Sequence, residues 1–273
     1  MIHYLKPNLL HQAIKVYLVG AGGTGSHVLR RLANMHIALL GLGHQYGLDV
    51  TVIDPDVVSP TNVGRQNFYP CDVGQPKAAI LVNRCNLQMM TNWKSIQARI
   101  DHTCHYHNID LVIGCIDNRK GRDDIIKGME SSVYEPTYYL DIGNRSHDGQ
   151  VILGQVKPKR SKEPEFRLPH VGELLPEIID VSLDDVDDMP SCSLAEALEK
   201  QSLFINDAMA NAAINILWEL LRHGCIRFHG QFINLKSGRS TPLAVDPEAW
   251  KRLGFDPKIK PEKKPGKKLK KPR

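Results

Sequence analysis

The sequence contains no apolar run approaching the ~20 residues that a membrane-spanning helix needs. Its first residues, MIHYLKP, lack the apolar core of a secretory signal peptide. The six cysteines form no CxxC pair, and the twelve histidines show no HxxxH or HExxH spacing, so no zinc or other metal motif is present. These absences lead us to expect a cytoplasmic protein with reduced thiols, no membrane association and no zinc.

The charge of the chain is distributed unevenly. The formal net charge is +5, but residues 258–273 hold nine Lys or Arg and one Glu, and the remaining 26 basic and 29 acidic residues leave a body with a net charge of −3. A segment rich in Lys and Pro with few apolar residues cannot bury enough surface to fold, so we predict a disordered tail. Two interpretations stay open, contact with nucleic acid or an acidic partner, and a solubilising end.

The first third of the chain has the pattern of a nucleotide-binding sheet. An apolar run at 16–19 predicts a buried strand, and the glycine-rich segment at 20–25 follows it directly. Apolar residues at helical spacing occupy 28–39, and a second strand at 49–53 ends at Asp54. This order predicts a doubly wound, Rossmann-like α/β fold, with a mainly parallel sheet and helices on both faces.

The predicted domain covers residues 1–257, and the disordered tail covers 258–273. A chain of 273 residues fits one large α/β domain. The stretch 157–190 is charged and rich in Pro, and we expect it to cross the sheet as a loop that covers the site or guides a partner.

The glycine segment has a physical role in binding phosphate. Gly20, Gly22 and Gly25 permit a tight turn and a close approach of phosphate to backbone N–H groups at a helix N-terminus. Asp54 is placed to accept hydrogen bonds from ribose hydroxyls. By itself the GxGxxG spacing is a weak signal, and a tight loop without a nucleotide is the alternative. Asp54 also lies farther from Gly25 than the usual ~20 residues, and we attribute the excess to the turn between Gly41 and Gly47.

The next segments favour a triphosphate over a dinucleotide. Arg65 and Lys77 are candidates to neutralise phosphates, and Asp117, after an apolar strand at 111–116, is a candidate ligand of Mg²⁺. Each has a structural alternative, since Arg65 and Lys77 are also explained as surface charges and Asp117 as a helix N-cap. An NAD site needs no such cluster.

Together these residues resemble the ThiF/MoeB/ubiquitin-activating superfamily, clearly over residues 14–145 and more loosely over 186–235. Within it the closest resemblance is to the ThiF-like proteins of the bacterial PRTRC gene set. The matching residues are GAGGTG at 20–25, DPDVVSPTNVGRQ at 54–66, VGQPKA at 73–78, and Asp117 followed by Asn118 and Arg122.

The resemblance implies ATP-dependent adenylation of the C-terminal glycine carboxylate of a small ubiquitin-like, β-grasp protein, with Mg²⁺ as cofactor. It implies catalytic roles for Arg65, Lys77 and Asp117. It also implies a homodimer and, as a further partner, a protein resembling a conjugating enzyme. The residues that it assigns to the nucleotide are Gly20, Gly22, Gly23, Gly25, Asp54, Asp56, Asn62, Arg65, Gln66, Lys77, Asp117 and Arg122.

The chain also departs from the family pattern. Many members have an arginine before the first strand that reaches the ATP of a partner subunit, but residues 1–15 contain no arginine. Lys6 or Lys15 is the candidate replacement. The paired CxxC motifs that hold zinc in some members are absent as well.

Cys192 is the candidate nucleophile for a second step, a thioester with the activated acyl group. It follows an acidic stretch at 180–188 and precedes a predicted helix, whose dipole would lower the pKa of the thiol. The neighbouring aspartates oppose thiolate formation, and a semi-buried structural cysteine is the alternative. A longer amphipathic helix is predicted at 204–221.

Two other classes of function remain open. An NAD-dependent oxidoreductase would use the same glycine loop and Asp54, but it leaves four residues unexplained: Arg65, Gln66, Lys77 and Asp117. A non-catalytic nucleotide-binding scaffold would contact DNA through the tail at 258–273.

Overall fold

The fold is described from a computed structural model of the chain, which describes residues 1–162, 164, 166–183 and 202–257. The basic tail at 258–273 and Cys192 lie outside the described residues, as does the later part of the acidic stretch before Cys192. The predictions made for these segments therefore stay predictions.

The described residues form an eight-stranded sheet and a separate two-stranded sheet that pairs β1 with β8. In chain order the strands are β1 (His3–Tyr4), β2 (Ile14–Val19), β3 (Leu48–Ile53), β4 (Lys94–Ile96), β5 (Leu111–Gly114), β6 (Thr137–Asn144), β7 (Asp148–Val156), β8 (Cys225–Ile226), β9 (Phe228–Asn234) and β10 (Arg239–Ala244). The helices are α1 (Gly23–Gly41), α2 (Lys77–Met89), α3 (Arg119–Ser132), α4 (Val171–Leu174), α5 (Ile205–His223) and α6 (Pro247–Lys251).

The strand order of the large sheet is β10-β9-β7-β6-β5-β2-β3-β4. Strands β4, β3, β2, β5 and β6 run parallel, and β7, β9 and β10 extend the sheet with antiparallel pairs. Helix α1 connects β2 to β3 on one side, and α3 connects β5 to β6 on the other, so right-handed crossovers place these helices on opposite faces. The predicted doubly wound, mainly parallel α/β fold is confirmed.

The centre of the sheet is apolar because helices cover it on both faces. Leu18, Val50, Val52, Val112 and Ile113 are fully buried. Strand β5 is apolar along its whole length, as expected for a strand buried on both faces, whereas β2 and β3 alternate at their beginnings and become fully buried at their carboxyl ends. The predicted strands at 16–19 and 49–53 lie within β2 and β3, and the helix predicted at 204–221 corresponds to α5.

The large spacing between Gly25 and Asp54 has two causes. Helix α1 is 19 residues long, and a turn follows in which Gly43 and Gly47 have φ angles of +95° and +62°. The turn contributes as predicted, but the length of the helix contributes as well.

The predicted crossing stretch is described from 157 to 183, except for residues 163 and 165. Its later part passes close to the N-terminus of α3, where the Arg119 guanidinium donates hydrogen bonds to the carbonyl oxygens of Glu177 and Leu183 at 3.0 and 2.8 Å. The stretch therefore reaches the carboxyl edge of the parallel strands.

No helix among the described residues has the length and apolar character to cross a membrane.

Strand order determines where a ligand can bind. The chain leaves β2 toward β3 and leaves β5 toward β6, in opposite directions along the sheet, so a topological switch point lies between β2 and β5. In open α/β sheets, ligands bind outside the carboxyl ends of the strands at such a point. Gly20, Asp54 and Cys115 follow these strand ends.

Candidate functional site

The glycine loop is shaped by two close backbone approaches. Gly20 has a φ angle of +91°, and a Cβ there would lie 2.5 Å from the carbonyl oxygen of Cys115. A Cβ on Gly25 would lie 1.9 Å from the carbonyl oxygen of Gly20. Gly22 differs, because a Cβ there would meet nothing within 4 Å and would project into open space. The loop therefore requires glycine at 20 and 25 for packing, while Gly22 leaves room for a ligand.

Asp54 joins the glycine loop to the end of β3. Its Oδ2 accepts a hydrogen bond from the Ala21 amide at 2.6 Å, and its Oδ1 accepts one from the Asp56 amide at 2.8 Å. Burial raises the pKa of Asp54, and the two amide donors oppose that effect. Each carboxylate oxygen retains acceptor capacity toward the cavity. Asp54 thus fixes the loop, and its contact with a ribose stays a prediction.

Lys77 lies at the start of α2 and is only 8% exposed. Its ammonium group contacts Asp56 Oδ2 at 3.1 Å, and Asp56 itself is exposed. A surface lysine is mostly exposed, so the interpretation of Lys77 as a plain surface charge is wrong. Arg65 lies on the same side of the cavity, where burial lowers the pKa of its guanidinium.

Asp117 follows β5 at the switch point, and its side chain is exposed at the cavity. The N-cap of α3 is Asn118, whose side-chain oxygen accepts a hydrogen bond from the Gly121 amide at 2.8 Å. The interpretation of Asp117 as the N-cap is therefore wrong, and its carboxylate accepts a 3.2 Å bond from the Asn118 side chain.

Arg122 is one turn into α3 and is buried. Its Nε donates to Oδ1 of Asp141 on β6 at 3.0 Å, and the Tyr139 hydroxyl donates to the same oxygen at 3.1 Å. Burial is the largest single effect and would lower the pKa of Arg122, but the charge and hydrogen bond of Asp141 together with Tyr139 and Asp117 outweigh it and raise that pKa. Arg122 is thus a fixed cation in the wall of the cavity.

These groups surround one cavity of about 440 Å³ at the carboxyl edge of the parallel strands. Its size falls in the range of roughly 300–1,000 Å³ that small-molecule sites occupy. Ten of the predicted nucleotide-binding residues line it: Gly20, Gly22, Gly23, Asp54, Asp56, Arg65, Gln66, Lys77, Asp117 and Arg122.

Two predicted residues do not line the cavity. Gly25 packs against Gly20, as described above. Asn62 is buried, and its side-chain oxygen accepts a hydrogen bond from the Ser59 amide at 2.9 Å, which closes the 3₁₀ turn Pro60–Asn62. Asn62 therefore shapes the segment that carries Arg65 and Gln66, and its phosphate contact stays a prediction.

The structure also brings polar residues into the cavity wall that the sequence analysis missed, among them a contacting group of three. The Thr24 hydroxyl lies 3.1 Å from Asn144 Oδ1 and 3.0 Å from Asn206 Oδ1. Thr24 is in α1, Asn144 ends β6 and Asn206 is in α5, so no local motif joins them. For Thr24 a signal was available, since it lies inside the glycine segment.

The candidate replacements for the missing N-terminal arginine lie at the other edge of the sheet. Lys6 forms an ion pair with Glu135 at 3.1 Å, just before β6 begins, and the Lys15 backbone amide bonds to Asp110, just before β5 begins. Both therefore lie at the amino edge of the parallel strands, away from the cavity of their own chain.

The donor set fits a nucleotide-bound Mg²⁺. Within the ranges that the structure describes, no three His, Cys, Asp or Glu side chains converge to hold a metal ion. Mg²⁺ typically takes one or two carboxylates and completes its shell with substrate phosphates and water. Asp117, exposed at the cavity, meets that requirement.

The sequence profile of the ThiF family matches residues 8–248. The chain is 30% identical over 124 residues to ubiquitin-activating enzyme E1 2 of Triticum aestivum, an alignment that covers 42% of this chain and 11% of the relative. It is 30% identical over 125 residues to ubiquitin-like modifier-activating enzyme 6 of Mus musculus, covering 41% and 11%. The chain therefore matches only about a tenth of the length of these curated relatives.

A comparison with solved structures agrees on the fold. The crystal structure of selenomethionine PaaA superposes with a TM-score of 0.55 and covers 86% of this chain and 65% of the PaaA chain. The sequence identity is 14%, so this similarity concerns the fold alone.

Proposed function

The chain belongs to the ThiF family, and from that membership we propose that it uses ATP and Mg²⁺ to adenylate the C-terminal carboxylate of a small ubiquitin-like protein. The relatives whose names refer to ubiquitin or ubiquitin-like modifiers are activating enzymes, which supports this class of reaction. We propose this activity for the chain by itself, because the alignments cover only 11% of each relative's length.

The observation that carries the proposal is the charge distribution of the cavity at the switch point. Lys77 and Arg65 project into a site that also contains the glycine loop and Asp54. A buried lysine beside a helix N-terminus suits a triphosphate, since both stabilise anionic oxygens. A dinucleotide site with one pyrophosphate leaves these two cations without a function, which favours ATP over NAD.

Adenylation places a strong electrostatic demand on this cavity. A carboxylate oxygen forms a bond to the α-phosphorus, the bond from that phosphorus to the bridging oxygen breaks, and pyrophosphate leaves with the electron pair. Two anions must approach each other, so fixed cations contribute most by stabilising the charge of the transition state. Arg65 and Lys77 serve this purpose, and Asp54 holds the ribose. Mg²⁺ bound near Asp117 would neutralise phosphate charge and polarise the phosphoryl group.

Little acid–base chemistry is required of side chains. The attacking carboxylate is already ionised at neutral pH and the leaving pyrophosphate is a stable anion. A cavity rich in phosphate ligands is therefore sufficient for the first half-reaction.

In the proposed function a second half-reaction follows adenylation. The acyl-adenylate passes to a sulfur nucleophile, with Cys192 as the candidate for a thioester in this chain. A homodimer and a protein resembling a conjugating enzyme are proposed on the same family resemblance. The tail at 258–273 is proposed to have no part in adenylation.

The test is ATP–pyrophosphate exchange with each small β-grasp protein encoded near the gene. Exchange that depends on one such protein and on its terminal carboxylate supports the proposal. Calorimetric titration with ATP–Mg²⁺ and with NAD separates the alternatives. Tight binding of NAD without binding of ATP would replace adenylation by an oxidoreductase function, and DNA binding that disappears when 258–273 is deleted, without exchange, would favour a scaffold.

A further inference from the structure

Asp141 is a carboxylate in the middle of the sheet with no exposed surface. It pairs in register with Gly114 of the neighbouring parallel strand. Its Oδ1 accepts both the Arg122 Nε–H and the Tyr139 hydroxyl, whereas its Oδ2 has no hydrogen-bond partner among the described residues. A buried polar atom without a partner costs about 1–3 kcal/mol. An apolar side chain here would avoid that cost, so Asp141 calls for a functional explanation.

Two missing side chains make room for this group. A Cβ on Gly114 would lie 2.8 Å from the Tyr139 hydroxyl, and a Cβ on Gly143 would lie 2.8 Å from Arg122 Nη2. Any larger residue at either position would push the tyrosine or the guanidinium aside. The chain of contacts from Tyr139 through Asp141 to Arg122 is therefore built into the backbone.

Arg122 lies between Asp141 and the cavity, and its Nη donors make no hydrogen bond to the described residues. Among the residues that the structure describes, its hydrogen bond to protein is made through Nε. Neither Nη atom is both fully buried and without a hydrogen-bond partner. The residue as a whole is only 5% exposed, and it lines the cavity. The Nε edge of the guanidinium thus faces Asp141, Nη2 also lies beside Gly143 of β6, and the remaining exposed surface of the side chain borders the cavity.

The cations occupy two sides of the cavity. Arg65, Lys77 and Arg99 come from the chain that follows β3. Lys120 and Arg122 come from α3, where the exposed Lys120 is paired with Asp124 and the buried Arg122 is held against Asp141 of β6. The switch point, with the glycine loop, lies between them. Adenylation needs two anionic substrates to meet at one phosphorus, so a site with cations on both sides suits one anion on each side.

Resting on the proposed function, we infer that Arg122 binds the carboxylate of the acyl substrate and that Asp141 is the positioning residue that fixes its orientation. The planar fork of a guanidinium matches a carboxylate. Asp141 offsets part of the positive charge of Arg122, which suits a monoanion better than a triphosphate. When one carboxylate oxygen bonds to the α-phosphorus, the other becomes the carbonyl oxygen of the acyl-adenylate and keeps its hydrogen bond to Arg122.

The test compares two stable adenosine compounds by calorimetry. One is 5′-O-sulfamoyladenosine, and the other carries a glycylglycyl group on the sulfamate nitrogen and so resembles the acyl-adenylate. In the wild-type protein the acyl group should strengthen binding about tenfold or more, the scale of a charge-assisted hydrogen bond. Arg122→Ala should remove most of this gain and change the affinity for ATP–Mg²⁺ less than about threefold, since ATP is held from the other side.

Asp141 is tested by the same ratio of affinities. Asp141→Ala should reduce the gain from the acyl group, and Asp141→Asn should restore much of it, because an amide oxygen still accepts the Arg122 Nε–H. A role in folding alone would lower the melting temperature without changing the ratio. If Asp141→Ala does not fold, the ratio of affinities is measured in Asp141→Asn and Arg122→Lys, which change the contact between the two side chains less. Lys127→Ala is the matched control, since Lys127 is an exposed cation farther along α3.

The outcomes separate this inference from the proposed function. Wild-type protein that binds neither ATP nor either adenosine compound would contradict the nucleotide site itself. Wild-type protein that binds ATP but gains nothing from the acyl group would overturn the inference alone. A loss of ATP affinity in Arg122→Ala equal to the loss for the acyl compound would assign Arg122 to the phosphates and also overturn it.

Discussion

The Cβ position of Gly25 lies 1.9 Å from the carbonyl oxygen of Gly20, whereas the Cβ position of Gly22, between them, has open space around it. Gly20 and Gly25 are thus required for packing, whereas Gly22 borders the cavity without a packing role. Substitutions at these positions should consequently have different effects.

Gly22→Leu should abolish ATP binding and leave the melting temperature within a few degrees of wild type. A Cβ at Gly22 meets no atom within 4 Å, so a leucine side chain there would fill the space above the loop without a clash in the protein. Gly25→Ala should lower the melting temperature strongly, because its methyl group has no room. Calorimetry and thermal unfolding measure the two effects, and unaltered ATP affinity in Gly22→Leu would contradict the site.

Arg65→Ala and Lys77→Ala should each reduce pyrophosphate exchange by about two orders of magnitude, the scale of losing one group that stabilises transition-state charge. Both side chains line the cavity. Lys94→Ala, an exposed lysine on the edge strand β4, provides the control. Exchange at nearly the wild-type rate in both cavity variants would exclude them from the mechanism.

The protein should lose stability as the pH falls from about 6.5 toward 4. Burial lowers the pKa of His3 and of His229 to about 4, from 6.5. In this window the unfolded chain takes up protons that the folded chain does not, so the free energy of unfolding decreases as pH falls. The slope is roughly 1.4 kcal/mol per pH unit for each such histidine.

Trp250 reports on this transition, because its indole N–H donates to His229 Nε2 at 2.8 Å. Urea unfolding followed by tryptophan fluorescence at pH 7 and at pH 5.5 measures the slope. His3→Gln should make the slope shallower by about one histidine's share. A free energy of unfolding that is constant over this window would show that these histidines are not held neutral.

Cys192→Ala should retain pyrophosphate exchange and lose any thiol-sensitive covalent adduct with the partner. Adenylation needs phosphate ligands, whereas thioester formation needs a sulfur nucleophile. Cys192→Ser should trap an ester that dithiothreitol does not cleave. Gel electrophoresis with and without reductant distinguishes these species, and an adduct that persists in Cys192→Ala would point to Cys71 or Cys225.

A protein that ends at Asp256 should exchange pyrophosphate as the full chain does. Among the residues that the structure describes, those that line the cavity run from Val19 to Asn206. Exchange assays on the two proteins side by side check this, and loss of activity on truncation would make the tail part of the fold or of the site.

The local part of the site could be predicted from the sequence. The strand patterns of β2 and β3, the glycine segment and Asp54 follow one another along the first 54 residues. This order by itself predicts a strand, a loop, a helix and a second strand. Residue type and position made Arg65, Lys77 and Asp117 candidates, the resemblance then implied their roles, and these residues do meet in one cavity.

Tertiary structure decided the rest. Asp141 and Asn206 lie in stretches without any motif, and only strand order brings Asp141 behind Arg122 and Asn206 beside Thr24. The sequence also left Asp117 ambiguous, because the residue that caps a helix depends on backbone angles that neighbouring residues do not dictate. Periodicity and spacing describe what a short segment can do by itself. Which distant side chains share a cavity depends on the order and register of strands, and these are set by the burial of the whole sheet.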